Sequence, residues 1–179
     1  MTGVQTCALP ILFQLREELD ELASALILET NILHSRGAGL EHHTALDGAY
    51  AAEDTAAALA DSGLEYADAV QAGGLALVTY GADGEVLTQS NVSLDPATDS
   101  LDDLALAINT AFGGELTATV NTDGMLNLAA AANLSFEIAG DDTDVLAALG
   151  LNTFFIGTDA DSIAVDESLI DDVGRVNCQ

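Results

Sequence analysis

A regular spacing of leucines dominates the first part of the chain. The leucines recur alternately three and four positions apart, with one skipped position at Glu29. The six leucines of the series are Leu12, Leu15, Leu19, Leu22, Leu26 and Leu33. This is the spacing of a heptad a/d seam, so it predicts a helix over residues 12–36, roughly 36 Å long at 1.5 Å per residue. Because Ile27 and Ile32 make other faces apolar as well, we expect partners on more than one side.

The periodicity weakens after this helix. Gly37 stands where a left-handed residue would end it. Residues 41–74 are alanine-rich with mixed periodicity, which predicts an irregular linker with one short helix near residues 55–60.

Period-two alternation begins at Leu75. LALVTY, the turn at 81–84 and EVLTQ predict a β-hairpin, whose second strand continues through NVSL until Pro96 stops it. Ser100 and Asp103 have the spacing of a capping box, so they predict the start of an amphipathic helix that Gly113 ends. The apolar stripe of that helix is Leu101, Leu104, Ala105, Ile108 and Phe112.

A second hairpin and one more strand follow. The segments ELTATV and MLNLA flank a turn at 121–124, and LSFEIA at 134–139 supplies the next strand. The order strand, strand, helix, strand, strand, strand predicts a small α+β unit within residues 75–150, in which the helix covers one sheet face. Asp-rich residues 141–144 predict the start of a short helix that Gly150 closes.

The predicted fold class is therefore α+β, with a long N-terminal helix followed by a β-rich domain that contains the ββαβββ unit. We expect a helical segment at 12–40, a linker at 41–74, the α+β domain at 75–150 and a return segment toward the first helix at 151–179.

Charge excludes several functions. Thirty acidic residues stand against three arginines and no lysine, for a formal net charge of -27. Such a field repels phosphate backbones and anionic lipid, so nucleic-acid and membrane-surface partners are not expected. No run approaches the roughly 20 apolar residues of a spanning helix, and no basic region marks a cleaved signal peptide.

The two ends of the sequence differ from the rest. Residues 1–11 resemble a translated sequencing adapter and match no pattern that leads into the helix, so they are excluded from fold reasoning. With the abrupt end after Val176, this predicts a middle fragment of a longer protein. Cys7 and Cys178 have neither disulfide-framework nor metal-ligand spacing, and we interpret them as incidental thiols.

Catalytic, metal and cofactor sites are not predicted. No nucleophile motif with a positioned base is present, and without lysine no phosphate-binding P-loop is possible. A zinc site would need the histidines to be joined by further spaced ligands. The Asp-rich segments lack the residue order of an EF-hand calcium loop. Roles in turns and helix caps therefore explain these aspartates better than calcium binding does. The residues weighed were His34, His42, His43 and Glu41 for zinc, and Asp141, Asp142, Asp144, Asp159 and Asp161 for calcium.

Two windows carry a family resemblance. The stretch LDELASALILETNILHSRGAGL resembles a helix of the hook-associated protein 1 family, the hook-filament junction proteins, which carries Asn, His and Gly at three-residue spacing. The window ALGLNTFFIGTDADSIAV resembles that family's return from its outer domain, although Asp166 stands where Asn is expected. The middle α+β unit is similar to a small insert of hooks and flagellins. The positions that match are Asn31, His34, Gly37, Leu151, Asn152, Phe154 and Phe155.

The resemblance, which covers residues 12–173, implies a structural and non-enzymatic role in flagellum assembly. Subunits would pack shaft helices through the leucine seam in a layer between hook and filament. The implied partners are other copies of the chain, the hook protein and the next junction protein. The implied location is the extracellular flagellum, reached by the flagellar type III route. Two alternatives stay open: a flagellin or filament-cap type axial protein, and a secreted acidic calcium-binding or adhesion module.

Overall fold

The computed structural model describes residues 5–171 and 173–177, with side chains from residue 11 onward. Its fold class is α+β, as the sequence predicts. The helices are α1 Gln5–Ser35, α2 Leu101–Phe112, α3 Val145–Leu149 and α4 Glu167–Asp171. The strands are β1 Ala45–Asp47, β2 Gly73–Tyr80, β3 Val86–Leu94, β4 Leu116–Val120, β5 Leu126–Ala130, β6 Ser135–Asp141, β7 Phe155–Ile156 and β8 Ala164–Val165. Short 3-10 turns lie at Leu59–Asp61, Ala67–Ala69 and Val173–Arg175.

The long helix α1 is confirmed, but two details of its ends differ from the prediction. It begins at Gln5, so the helical backbone extends into the segment that we had set aside. Gly37 does not have a positive φ and is therefore no left-handed helix stop. A Cβ at Gly37 would lie 2.9 Å from the Cβ of Asn177, so close approach of two segments is what favours glycine there.

Both predicted hairpins form. Strands β2 and β3 pair with Val78 opposite Gln89, and strands β4 and β5 pair with Ala118 opposite Leu128. The capping box of α2 is complete, because the Ser100 hydroxyl accepts from the Asp103 N–H and the Asp103 carboxylate accepts from the Ser100 N–H. Gly113 ends α2 in the left-handed conformation. These local predictions are confirmed.

The strands do not form one sheet, which corrects the single sheet that we expected helix α2 to cover. One antiparallel sheet has the order β3-β2-β6, and a second has the order β1-β5-β4. Helix α2 packs against β3 of the first sheet and β4 of the second. Its buried side chains Leu104 and Ile108 enter one hydrophobic core that also contains Phe136 of β6 and Ile27 of α1.

Residues 41–74 are more ordered than the predicted linker. Strand β1 pairs with β5, with Leu46 opposite Leu128, and the one-turn helix begins at Leu59 rather than near residue 55. Buried Tyr50 and Tyr66 pack edge to face, with ring centroids 5.1 Å apart. The short strand escapes sequence analysis because only its partner β5 gives it a strand conformation.

The chain returns to α1 after β6. Helix α3 is fully buried and packs against α1, and Gly150 closes it with a φ of 69°. Strands β7 and β8, of two residues each, then form a hairpin with Phe155 opposite Val165.

Candidate functional site

The leucine series of α1 lies on an exposed face. The side chains of all six leucines are 49–66% exposed. They are Leu12, Leu15, Leu19, Leu22, Leu26 and Leu33, named here the leucine stripe. The face of α1 that packs on the rest of the chain is a different one, formed by Ala23, Ile27, Asn31 and Ser35 at four-residue spacing. A row of large apolar side chains in water is costly, and such rows mark interaction surfaces.

Asn31 joins α1 to the return segment. Its side chain is 1% exposed. Its Oδ1 accepts from the backbone N–H groups of Phe154 at 3.0 Å and Phe155 at 2.9 Å, and its Nδ2 donates to the Phe155 carbonyl at 2.9 Å. The buried amide therefore serves three backbone groups of a segment more than 120 residues away.

His34 lies one turn further along α1. Its Nδ1 is 2.9 Å from the Asn152 carbonyl, and its Nε2 accepts from the Asn177 N–H at 3.1 Å. A carbonyl can only accept, so the proton of the neutral ring sits on Nδ1. Burial lowers the pKa of His34, while the bond to Asn152 and the charge of Asp166 oppose that shift. The ring meets Phe154 edge-on, with centroids 5.6 Å apart.

Asn152 completes the contact between the two windows. It has a φ of 54°, a conformation that asparagine tolerates better than most residues. Its Nδ2 lies 3.3 Å from the carbonyl of Ser35 and 3.4 Å from that of Gly37, at the end of α1 where carbonyls lack helical partners. Leu151 beside it is fully buried. The seven positions that match the family windows thus meet at one place, which we call the helix junction.

Sequence analysis missed further residues at and near the helix junction. Asn177 donates through its side chain to the His34 carbonyl at 2.7 Å. Arg36 reaches the buried carboxylate of Asp144 at 2.5 Å, and Gln71 donates to the same carboxylate at 3.1 Å. No local signal could have found these pairs, because their members lie far apart in the chain.

Several of the side chains weighed as metal ligands make other contacts. His42 stacks on Tyr80, with centroids 3.9 Å apart, while His43 is buried against Phe136. Asp141 accepts from the N–H groups of Thr143 and Leu146 and so caps α3. Within residues 5–171 and 173–177, no three His, Cys, Asp or Glu side chains are grouped to hold a metal ion. The two cysteines lie outside the residues whose side chains are described.

One cavity lies between β1 and α4. Its volume is about 240 Å³, and its charged lining consists of Asp47, Asp166 and Arg175 beside His43. Charges of both signs meet in this cavity, so its walls do not select an anion or a cation.

Comparison with known proteins gives one family match and one similar structure. Residues 80–132 match the family described as Flagellin hook IN motif, a span that contains β3, α2, β4 and β5. No curated protein matches the chain. Among solved structures, the D2-D3 domains of the flagellar cap protein FliD from Serratia marcescens are 22% identical to it, with a TM-score of 0.38. That match covers 64% of this chain and 56% of the other, so the chain spans just over half the length of that structure.

The motif falls on the middle α+β unit, where the sequence resemblance to hooks and flagellins lay. None of the described helices is long and apolar enough to cross a bilayer. Residues 80–132 are thus similar to a flagellin hook IN motif, in the same part of the chain whose sequence resembles an insert of hooks and flagellins.

Proposed function

We propose that the chain acts at the hook-filament junction, where its copies pack through the leucine stripe during flagellum assembly. The observation that carries the proposal is the exposure of all six leucines on one face of α1. Heptad spacing lets such a face pack against another helix, with each side chain inserting between those of its partner.

The free energy of this packing would come from removing the apolar surface of the leucines from water. Apolar area removed from water contributes roughly 25 cal/mol per Å². Because no leucine of the stripe is buried in the single chain, the gain is available only to a helix from outside the described part. Other copies of the chain are the first expected partners, followed by the hook protein and the next junction protein.

The helix junction supports the same proposal from another side. Asn31 and His34 hold the return segment against α1 through side-chain bonds to its backbone. This ties the β-rich part to the end of the long helix and leaves the stripe uncovered. In an assembled layer, α1 would pack in the wall while the sheets stay outside.

Location in the flagellum tests the junction role. Gold-labelled antibody against the chain, applied to intact flagella of the source bacterium, should give one band at the boundary between hook and filament. Label along the whole filament would indicate a flagellin, and label at the tip a cap protein. Either result would overturn the junction role while keeping the axial family.

Substitution tests the leucine stripe itself. Leu19→Glu with Leu22→Glu should shift the self-associating chain to monomer in sedimentation velocity at low salt, because the charges would be buried in the packed seam. The matched control adds the same two charges at exposed positions away from the stripe, as Gln14→Glu with Thr122→Glu, and should still associate. A wild-type chain that stays monomeric at high concentration would refute self-association through the leucine stripe.

The calcium-binding or adhesion module is not favoured by any contact. Asp141 and Asp144 already accept hydrogen bonds inside the fold. A rise in Tm with calcium beyond that given by equal magnesium would revive this alternative.

A further inference from the structure

Strand β3 is an unprotected sheet edge. It is the outer strand in the order β3-β2-β6 and is nine residues long. Across the described ranges, no backbone hydrogen bond joins β3 to any segment other than β2. An edge of this length presents a row of free N–H and C=O groups, which is a template for another strand.

The sequence of this edge carries no charge. Residues 86–94 read VLTQSNVSL and contain no charged residue and no proline. Natural edge strands are commonly guarded by charge or proline. Two copies, each with an acidic surface, can approach at this edge without bringing charged side chains of the strand together. The absence of charge therefore favours a second copy as the occupant.

The outward backbone groups can be assigned. The Thr88 N–H donates to the Thr79 hydroxyl of β2 at 3.2 Å, so the Thr88 backbone faces β2. Because these groups alternate sides along a strand, Gln89, Asn91 and Ser93 turn theirs away from the sheet. The side chains of these three residues are also exposed.

We propose that β3 pairs antiparallel with β3 of a second copy, about a two-fold axis at Asn91. Asn91 then lies opposite Asn91 of the second copy, and Gln89 lies opposite Ser93 of the second copy. The two residues of each pair exchange both backbone hydrogen bonds. In this register Asp95 lies opposite Leu87 and Glu85 opposite Ala97, so no two carboxylates face each other within residues 85–97. The β3-β2-β6 sheets of the two copies then form one continuous sheet.

This pairing is a second interface, separate from the leucine stripe. Copies that are already held side by side by the stripe would bring their β3 edges to a high effective concentration. A short uncharged edge could then pair although it binds weakly alone.

Disulfide trapping tests the register. The full chain with Cys7→Ser, Cys178→Ser and Asn91→Cys should form a covalent dimer under mild oxidation. In a hydrogen-bonded antiparallel pair the Cα atoms lie about 5.5 Å apart, within the range of a disulfide. Thr122→Cys in the same background, at an exposed turn, is the control and should give at least about tenfold less dimer.

A mixture of Gln89→Cys and Ser93→Cys chains in that background should give the mixed dimer in preference to either homodimer. Equal dimer yields from Asn91→Cys and Thr122→Cys, or no preference in the mixture, would overturn the proposal.

A test in solution separates this edge from the stripe. In the Leu19→Glu, Leu22→Glu background, with about 0.5 M NaCl to shorten the Debye length to a few ångströms, residual dimer should be detectable by sedimentation equilibrium. Asn91→Glu places two like charges on the axis and should weaken it about tenfold or more. Thr122→Glu adds the same charge at an exposed turn outside β3 and should not weaken the dimer. An effect of equal size from both substitutions, or no dimer at all, would refute β3 pairing without bearing on the stripe.

Discussion

Asn31 and Phe155 pair as two strand residues would. The Asn31 side chain accepts from the Phe155 N–H and donates to its carbonyl, both at 2.9 Å. A helix cannot offer its own backbone to a strand, because its N–H and C=O groups are used within the helix. The asparagine amide provides the same donor and acceptor at the side-chain end, and so lets α1 hold the first strand of the β7–β8 hairpin.

Replacing Asn31 should therefore be costly. Asn31→Ala leaves the N–H groups of Phe154 and Phe155 and one carbonyl without partners in a buried place. We expect a loss of about 2–4 kcal/mol in the free energy of unfolding, measured by urea denaturation. Gln14→Ala, whose side chain bonds Glu18 on the exposed part of α1, should change it by less than about 0.5 kcal/mol. Similar losses from both substitutions would contradict a special role for Asn31.

The cap of α2 gives a second prediction. The Ser100 hydroxyl accepts from the Asp103 N–H at 3.1 Å, so Ser100→Ala should destabilise the chain by about 1 kcal/mol in thermal or urea unfolding. Ser100→Thr should retain most of the stability, because its hydroxyl can accept the same bond and donate to the Asp103 carboxylate as the Ser100 hydroxyl does. Equal loss from Ser100→Ala and Ser100→Thr would point to packing of the buried residue rather than to capping.

His43 predicts a dependence of stability on pH. Burial first, and then the charge of Arg175, lower its pKa from 6.5 to about 4. Between these two values the unfolded chain binds a proton that the folded chain does not, so stability falls as the pH falls below 6.5. Unfolding measured in urea should show a loss of roughly 2 kcal/mol from about pH 6.5 to pH 5.

The variant His43→Gln separates this contribution from others. It should reduce the slope of stability against pH over that interval. Part of the slope should remain, because the pKa of His34 is also lowered. An unchanged slope in His43→Gln would assign the acid sensitivity elsewhere.

Salt should strengthen self-association through the leucine stripe. Each chain carries a formal charge of -27, so copies repel one another until ions screen the field. Raising NaCl from about 0.05 to 0.5 M should increase the association constant at least about tenfold, as followed by light scattering. KCl should act equally. Weaker association at high salt would mean that ion pairs, not apolar packing, hold the copies together.

Local chemistry explains most of what could be predicted. The capping box at Ser100, the turn around Gly84 and the alternation in β2 and β3 each act within a few residues, so the pattern alone predicts them. The heptad spacing likewise predicts α1 over most of its length. The stripe's role in assembly stays a prediction, as does the division into domains.

Helices α1, α2 and α3, the hairpins β2–β3 and β4–β5 and the acidic composition could be predicted from the residue pattern, because these depend on neighbours along the chain. The residue pattern did not predict that strands β1–β6 divide between two sheets, that β1 pairs with β5 or that Asn31 faces Phe155. Those outcomes depend on contacts between distant segments, and their free energy is gained only when the whole core closes. The exposure of the leucine face of α1 has the same cause. The leucine spacing defines that face, but it remains exposed because Ile27 and Asn31 on another face pack against distant segments.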